Sequence, residues 1–260
     1  MSYPLIDTHT HLYLDNFNDD RSVVIKDCQE NGIKKLLLPN IDSKTIEAVN
    51  KLSSECPGTC YPMMGLHPCS VKKNYQTELA IIENQLNKRN YIAIGEIGID
   101  LYWDQSTLEE QKKAFEIQIN WAKEKGLPVV IHARNSFEEI FSIIDQLNDD
   151  SLNGVFHCFT GNIDQANQII NYGGFKLGIG GVVTYKNSGL DKTLKEVDLN
   201  HLVLETDSPY LSPVPFRGKR NESTYLTYIA EKLSSIYQCS INEIAEKTTK
   251  NAIEVFKLSE

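Results

Sequence analysis

Two histidines, His9 and His11, end the apolar segment near the start of the chain. Side chains alternate between the two faces of an extended strand, so Asp7, His9 and His11 are predicted to share one face. Imidazole nitrogens beside carboxylates are frequent metal ligands, and this pair would supply part of a metal site. A hydrogen-bonded pair of core histidines is the alternative, and the rest of the chain must supply the missing ligands.

Further candidate ligands follow apolar segments elsewhere in the chain. Each of these segments reads as a short strand, and its last residues would lie at the same rim of a parallel sheet. His201 differs because it begins a strand, and we interpret it as a surface histidine. The residues at the predicted strand ends are His67, Glu96, His132, His157, Glu205 and Asp207.

This set of ligands exceeds what one tetrahedral zinc ion needs. It favours two divalent ions that share a bridging carboxylate. The predicted ligands are His9, His11, Glu96 and Asp207 for one ion, and Glu96, His132 and His157 for the other. Imidazole and carboxylate donors suit Zn, which we predict, while Mn, Fe, Co, Ni and less readily Mg are alternatives.

The predicted chemistry is hydrolysis at neutral pH, because two metal ions lower the pKa of a shared water and offset charge on the scissile group. Asp207 is the predicted proton acceptor, and Glu96 belongs to the catalytic set as the bridge. Glu205 is predicted to lie on the same strand face as Asp207 and to support the site. An ion-paired acid of the barrel interior is the alternative for Glu205.

Several cations and aromatic residues near the predicted rim could bind substrate. Arg134 follows His132, and Arg217, Lys219 and Arg220 follow the last strand. Guanidinium groups pair with phosphate through two hydrogen bonds, although a solvated basic loop is an alternative for the second group. Tyr102 and Trp103 could stack on a nucleobase, or they could simply pack the rim.

The elements that would carry these residues alternate between strand and helix. Eight short apolar runs in about 250 residues are typical of a (β/α)8 TIM barrel, an α/β fold, with an open doubly wound sheet as the alternative. No Gly-x-Gly-x-x-Gly motif follows a strand, which weakens the dinucleotide-binding form of that alternative. The predicted strands are Pro4 to Thr8, Lys35 to Leu38, Tyr61 to Gly65, Tyr91 to Gly95, Pro128 to Ile131, Gly154 to Phe156, Phe175 to Ile179 and Leu202 to Leu204.

Helix boundaries are marked by capping signals. Ser106 with Glu109, Ser136 with Glu139, and Ser240 with Glu243 have the spacing of a capping box and predict helix starts. Gly126, two residues before Pro128, predicts a helix end. The segment from Glu222 to Leu258 is predicted to form two helices outside the barrel.

Composition restricts the class of protein. The chain has 260 residues, of which 41% are hydrophobic, and its formal net charge is -9. We expect one domain over residues 1–260, with no broad electrostatic adhesion to nucleic acid or to anionic membranes. No apolar run is long enough to span a bilayer, and the six cysteines lack a Cys-x-x-Cys pair. A soluble cytoplasmic protein with reduced thiols and no obligate protein partner is therefore expected.

The motifs together resemble the TatD family of metal-dependent deoxyribonucleases, and the resemblance covers nearly the whole chain. It rests on several specific blocks that occur in the family's order. These blocks are Leu5-Ile6-Asp7-Thr8-His9-Thr10-His11, Gly65-Leu66-His67-Pro68, Gly95-Glu96-Ile97-Gly98-Ile99-Asp100, Ile131-His132-Ala133-Arg134, His157-Cys158-Phe159-Thr160-Gly161, Gly178-Ile179-Gly180-Gly181, Glu205-Thr206-Asp207-Ser208-Pro209-Tyr210-Leu211 and Arg217-Gly218-Lys219-Arg220-Asn221.

The resemblance implies an amidohydrolase-type TIM barrel with a two-metal centre. It implies 3′ to 5′ exonucleolytic hydrolysis of DNA, in which a hydroxide activated by two metals attacks phosphorus and Asp207 acts as base. His67 and Arg134 would orient the phosphate, and the substrate would be DNA 3′ ends or single-stranded DNA. The metal ligands would lie at positions matching His9, His11, Glu96, His132, His157 and Asp207.

Departures from the family pattern are confined to loop positions. Ile99, Leu101 and Ser223 differ from common family residues, which makes substrate preference less certain but leaves the reaction class intact. Hydrolysis of a small ester, amide or lactone is the alternative within enzymes, because the fold and the metal centre do not fix the substrate. A metal-binding protein without turnover is the alternative outside enzymes.

Overall fold

The computed structural model describes residues 4–259, so the ends of the predicted domain, residues 1–3 and 260, lie outside it. Strands and helices alternate along the described chain, which confirms the α/β class. The strands are β1 (Leu5–Asp7), β2 (Ile33–Leu38), β3 (Cys60–Pro62), β4 (Ile94–Asp100), β5 (Val129–Arg134), β6 (Gly154–Phe156), β7 (Phe175–Ile179) and β8 (Leu202–Leu204). The helices are α1 (Arg21–Glu30), α2 (Ile46–Glu55), α3 (Tyr75–Lys88), α4 (Leu108–Lys125), α5 (Phe137–Leu147), α6 (Ile163–Asn171), α7 (Leu190–Leu194), α8 (Leu226–Tyr237) and α9 (Ile241–Phe256).

The strands pair in sequence order, and every pairing is parallel. β1, β2 and β3 form one ladder, and β4 through β8 form a second. Parallel neighbours need a crossover, and the intervening helices supply it. The carboxyl ends of all eight strands therefore lie at one rim, where barrel enzymes place their reactive groups.

Backbone hydrogen bonds link the two ladders along both of their edges. The Thr8 amide donates to the Leu204 carbonyl over 2.9 Å, which joins the ends of β1 and β8. On the other edge the Met64 amide donates to Ala93, and the Gly95 amide donates to Met64, each over 3.1 Å. An open doubly wound sheet would leave its outer edges unpaired, so these contacts favour the barrel.

The end of α9 packs against apolar side chains of the barrel interior. Strand residues alternate between the two faces, so Leu37 belongs to the interior group while its neighbours Leu36 and Leu38 face the outer helices. Val255 and Phe256 of α9 join the interior group, which also contains Ile6, Met63, Val130, Val155 and Val203. The two C-terminal helices are thus confirmed, and the second covers the apolar end of the interior.

The capping predictions were right for one hydroxyl and wrong for two. The Ser240 hydroxyl accepts from the Glu243 amide over 3.1 Å at the start of α9. The Ser136 hydroxyl instead donates to the Ile99 carbonyl over 2.6 Å, although α5 begins at the next residue. Ser106 bonds to Asp104, and Thr107 is the N-cap of α4. Both serines have a competing acceptor nearby, which spacing alone does not reveal.

The Gly126 prediction is confirmed, because this residue ends α4 in the left-handed conformation with a φ of 62°.

All six cysteines are free. Within residues 4–259 no helix has both the length and the apolar character that a bilayer crossing requires.

Candidate metal centre and active site

The predicted ligands come together at the carboxyl-terminal rim of the strands. His9 and His11 lie in the segment after β1, Glu96 in β4, His132 in β5, and His157 directly after β6. Most of these side chains are buried, and His9 is fully buried. Titratable groups that share a buried space at the functional end of a barrel are candidates for catalysis.

Glu96 lies at the centre of this cluster. Its Oε2 is 3.2 Å from His9 Nε2, and its Oε1 is 2.8 Å from His132 Nδ1 and 3.4 Å from His67 Nε2. Burial alone would raise the pKa of this carboxyl, but the surrounding imidazoles outweigh burial and lower it well below its usual value. Glu96 is therefore held as a carboxylate that faces both sides of the cluster.

A change of register in β4 directs Glu96 inward. β4 pairs with β5 through Gly95 and Val130, and the pairing then resumes at Ile97 with Ile131, which leaves Glu96 without a partner. An extra residue in a strand re-aims the side chains around it. The sequence prediction ended this strand at Gly95, which is wrong, because β4 continues to Asp100.

Asp207 approaches the same histidines from the opposite side of the barrel. Its Oδ1 is 3.4 Å from His11 Nε2 and 3.8 Å from His9 Nε2. Burial alone would raise the pKa of the Asp207 carboxyl. The neighbouring His11, His157 and His9 lower the pKa by more than burial raises it, so the net shift is downward. Asp207 is thus an ionised acceptor next to the ligand cluster.

Left-handed backbone recurs directly after the strands that carry the site. Asn135 after β5, Cys158 after β6 and Asp207 after β8 have φ values of 55°, 47° and 57°. Such conformations are uncommon outside glycine and tend to occur where function fixes the backbone. At Asp207 the backbone is held by its own amide, which donates to the His9 carbonyl over 2.9 Å.

Glu205 lies beside His157, a contact that both predicted roles of this residue allow. Its Oε1 is 3.0 Å from His157 Nδ1 and accepts from the Cys158 amide over 2.6 Å. Burial lowers the pKa of His157, but Glu205 and Glu96 raise it to about 10 overall. Glu205 thus lies beside Nδ1, and Nε2 of His157 faces Glu96 at 3.7 Å.

The donor atoms of the cluster lie close enough together to hold metal. His9, His11 and Glu96 form one group, and His67, Glu96 and His132 form another, each with ligand atoms within 4.8 Å of one another. A third group joins His9, His157 and Glu205. Imidazole and carboxylate donors fit a divalent transition metal, and the first two groups share Glu96 as the predicted bridge would.

Two histidines have contacts that the sequence prediction did not include. His67, predicted to orient the phosphate, lies as close to Glu96 as a ligand would, at 3.4 Å. His157, predicted as a ligand of the second ion, stacks on His9 with ring centroids 3.5 Å apart and reaches both carboxylates, Glu96 and Asp207. His157 therefore lies between the two groups.

Tyr13 and Asp100 also contact the site, and the sequence analysis did not identify them. The Tyr13 hydroxyl donates to the Pro39 carbonyl over 2.7 Å and lies 2.8 Å from His11 Nδ1. Asp100 Oδ2 lies 2.8 Å from His132 Nε2. The alternation of β4 could have revealed Asp100, but Tyr13 lies in an irregular segment without such a signal.

Asp7, predicted to share a strand face with the two histidines, bonds to the segment after β8. Its two oxygens accept from the amide and the hydroxyl of Thr206, over 2.9 and 2.6 Å. Burial raises the pKa of this carboxyl to about 7. Asp7 is buried and ties the end of β1 to the segment after β8.

The ligand cluster lines a cavity of about 620 Å³ that opens at this rim. Trp103 and Arg134 form part of its wall, and Trp103 is 70% exposed. The Arg134 guanidinium lies 3.9 Å from the centre of the Tyr102 ring and 5.5 Å from that of Trp103. We call these three side chains the rim platform, in which the guanidinium lies over the Tyr102 ring while Arg134 and Trp103 line the mouth.

The structure does not bring the three cations of residues 217–220 to this cavity. Arg217 lies over the Tyr185 ring at 4.4 Å. Arg220 donates to both carboxylate oxygens of Asp20, over 2.8 and 2.6 Å, and this pair joins the segment to the chain before α1. None of Arg217, Lys219 and Arg220 is among the described wall residues, and their contact with substrate stays a prediction.

Comparisons with known proteins identify the family of the chain. Residues 6–257 match the family described as TatD related DNase. YabD of Bacillus subtilis, an uncharacterized metal-dependent hydrolase, is 35% identical over 98% of this chain and 100% of its own. A protein of Yersinia pseudotuberculosis named 3′-5′ ssDNA/RNA exonuclease TatD is 31% identical over 98% of this chain and 100% of its own.

A solved structure extends the likeness to the fold. The crystal structure of YjjV, a TatD homologue from Escherichia coli K12, superposes on this chain with a TM-score of 0.92 at 27% identity. The alignment covers 100% of both chains. With the family match across nearly all of the sequence, the chain belongs to the TatD-related DNases and is a metal-dependent hydrolase with a TIM-barrel fold.

Proposed function

We propose that this protein is a metal-dependent deoxyribonuclease that removes nucleotides from the 3′ ends of single-stranded DNA. The observation that carries the proposal is the buried cluster around Glu96 at the base of a cavity with the rim platform at its mouth. A guanidinium pairs with phosphate, and exposed aromatic rings stack on bases of any sequence. The name of the Yersinia relative supports the same substrate class.

The proposed centre holds two divalent ions, with Zn as the first candidate. His9, His11, Glu96 and Asp207 would hold one ion, and Glu96, His132 and His157 the other, with His67 close enough to join the second group. Bound metal would acidify water and offset negative charge on the phosphate. A cytoplasmic location stays a prediction.

The chain's own residues would position the substrate and move the proton. Asp207 is ionised, borders the cavity and could accept a proton from the attacking water. Arg134 would bind the phosphate at the mouth, and Trp103 would stack on the neighbouring base. His67 lines the same wall and would contact the phosphate if it is not a ligand.

The test is hydrolysis of 5′-labelled single-stranded DNA by the metal-replete protein, with and without a chelator. We expect ladders that shorten from the 3′ end, no reaction with chelator, and a loss of about 10²-fold or more in Asp207→Asn. Asp164→Asn, on the exposed start of α6, is the matched control and should retain activity.

The same preparation is assayed against a panel of esters, amides and lactones. Turnover of a panel compound with DNA left intact would refute the nuclease and favour a small-molecule hydrolase. Metal binding without any turnover would favour the non-catalytic alternative.

A further inference from the structure

Asp100 is a buried carboxyl group at the end of β4 that contacts two different parts of the site. Its Oδ2 lies 2.8 Å from His132 Nε2. Its Oδ1 accepts from the amides of Tyr102 and Trp103, over 2.9 and 3.2 Å. One carboxylate therefore joins a candidate metal ligand to the turn that carries the rim platform.

The backbone of Asp100 is itself fixed by α4. The Gln111 side chain accepts from the Asp100 amide over 2.8 Å and donates to its carbonyl over 3.2 Å. Both residues are buried. A side chain held on a fixed backbone has little freedom to move, so its two oxygens can fix the groups that contact them.

The contact with Oδ2 holds the edge of the His132 ring that lies away from the cluster. Nε2 lies 2.8 Å from Asp100 Oδ2, and Nδ1 lies 2.8 Å from Glu96 Oε1 on the opposite edge. The ring is therefore held between two carboxyl groups, with Nδ1 facing the cluster. A second contact of this kind orients a ligating histidine.

The contact with Oδ1 fixes the turn after β4. Tyr102 and Trp103 are 55% and 70% exposed, so few packing contacts hold their side chains. Their backbone amides donate to the buried Asp100 carboxylate, which anchors the turn. Arg134, two residues beyond His132 on β5, lies over the Tyr102 ring.

We propose that Asp100 is a positioning residue that fixes the orientation of His132 and the rim platform relative to each other. Its role towards a stacked nucleobase rests on the proposed function, whereas its role towards His132 and Trp103 does not. The substitution Asp100→Ala removes both contacts, because an alanine side chain has no hydrogen-bond acceptor.

The experiment uses Trp103 as a reporter. The chain has two tryptophans, and Trp121→Phe removes the buried one on α4. In that background Asp100→Ala should increase the fast local depolarisation of Trp103 fluorescence. It should also weaken Co²⁺ binding to the second site about 10- to 100-fold, measured by absorbance titration. Asp104→Ala is the matched control, since Asp104 bonds to Ser106 and Lys72 in the same loop without touching His132.

A change in both readouts for Asp100→Ala and in neither for Asp104→Ala supports the proposal. A change in only one readout, or in none, overturns it. Should Asp100→Ala fail to fold by circular dichroism, Asp100→Asn decides instead, because its single acceptor atom can serve only one of the two contacts. A change in at least one readout for Asp100→Asn supports the proposal, and a change in none overturns it. Neither measurement uses DNA hydrolysis, so a failed nuclease assay would disprove the proposed function alone.

Discussion

At the scale of single residues, the charge of Glu96 organises the site. A carboxylate with 2% exposure would be strongly destabilising without compensation, and several imidazoles around it provide that compensation. The same contacts orient the imidazoles, since each ring has one nitrogen directed at the cluster. Tyr13, Asp100 and Glu205 hold the opposite nitrogens of His11, His132 and His157.

Replacing Glu96 should therefore reduce metal binding while the protein still folds. We expect Glu96→Gln to retain no more than one ion per chain, because the neutral amide removes the charge that both ligand groups share. Elemental analysis after dialysis measures the content, with Glu78→Gln on α3 as the matched control. Two tightly bound ions in Glu96→Gln would contradict the bridging role.

At the scale of elements, β7 leaves room for a carboxylate. A Cβ atom on Gly178 would lie 2.2 Å from Glu205 Oε2, whereas one on Gly180 would have no neighbour closer than 3.7 Å. Glu205 in turn holds the Cys158 amide and His157 Nδ1. The absence of a side chain at Gly178 thus determines where His157 points.

The pair Gly178→Ala and Gly180→Ala tests this relation. We expect Gly178→Ala to displace the Glu205 carboxylate and reduce kcat at least about tenfold, because the orientation of His157 is lost. Gly180→Ala should stay close to wild type. Steady-state kinetics on the DNA substrate gives the comparison, and equal effects of the two variants would argue against it.

The α9 helix stabilises the barrel from the end opposite the cavity. Phe256 is 3% exposed and packs with the interior side chains of the strands. Phe256→Ala should lower the free energy of unfolding by about 3–5 kcal/mol, since it leaves a cavity in the interior. Metal content of the folded protein should not change.

Chemical denaturation measures this stability, with exposed Lys250→Ala of the same helix as control. A loss below about 1 kcal/mol would mean that the end of α9 contributes little to the packed interior.

The sequence predicts some elements residue for residue and misplaces others. β6, β7 and β8 have their predicted bounds because each is a short apolar run. β4 was placed too early because Glu96 was expected to mark a strand end. Polar side chains occur within β4 because it faces a polar cavity, and an apolar pattern cannot indicate that.

The candidate site could likewise be predicted only in part from the sequence. Histidines and acids that follow apolar runs identified the cluster, since strand ends share a rim. The roles of Gly178 and Asp100 were not predicted, because they depend on contacts between different strands. Arg220 has a sequence position that suggests substrate binding, yet its guanidinium meets Asp20, 200 residues earlier.

At the scale of the whole molecule, charge restricts how DNA can bind. The formal net charge is -9, and Arg134 is the one lysine or arginine among the described residues of the cavity wall. Long-range attraction to a polyanion is therefore weak, and contact should be limited to the strand end.

Salt dependence of binding measures the number of phosphate contacts. For labelled single-stranded DNA bound to metal-loaded Asp207→Asn, we expect log K to fall with log salt at a slope of about -0.7 to -1.4, for one or two phosphates. Fluorescence anisotropy titrations at several salt concentrations give the slope. A slope steeper than about -3 would reveal an extended basic groove instead.

The contact of Asp7 with Thr206 has a consequence for folding, because these residues are 199 positions apart. His9 and Asp207 come together through the contact between the ends of β1 and β8, so the proposed ligand group of His9, His11, Glu96 and Asp207 needs both ends of the barrel sequence. During synthesis this group cannot form until β8 and the segment after it have been made. Metal capture by that group is thus coupled to a long-range contact of the kind that makes folding slow, and a truncated chain that lacks β8 would not complete it.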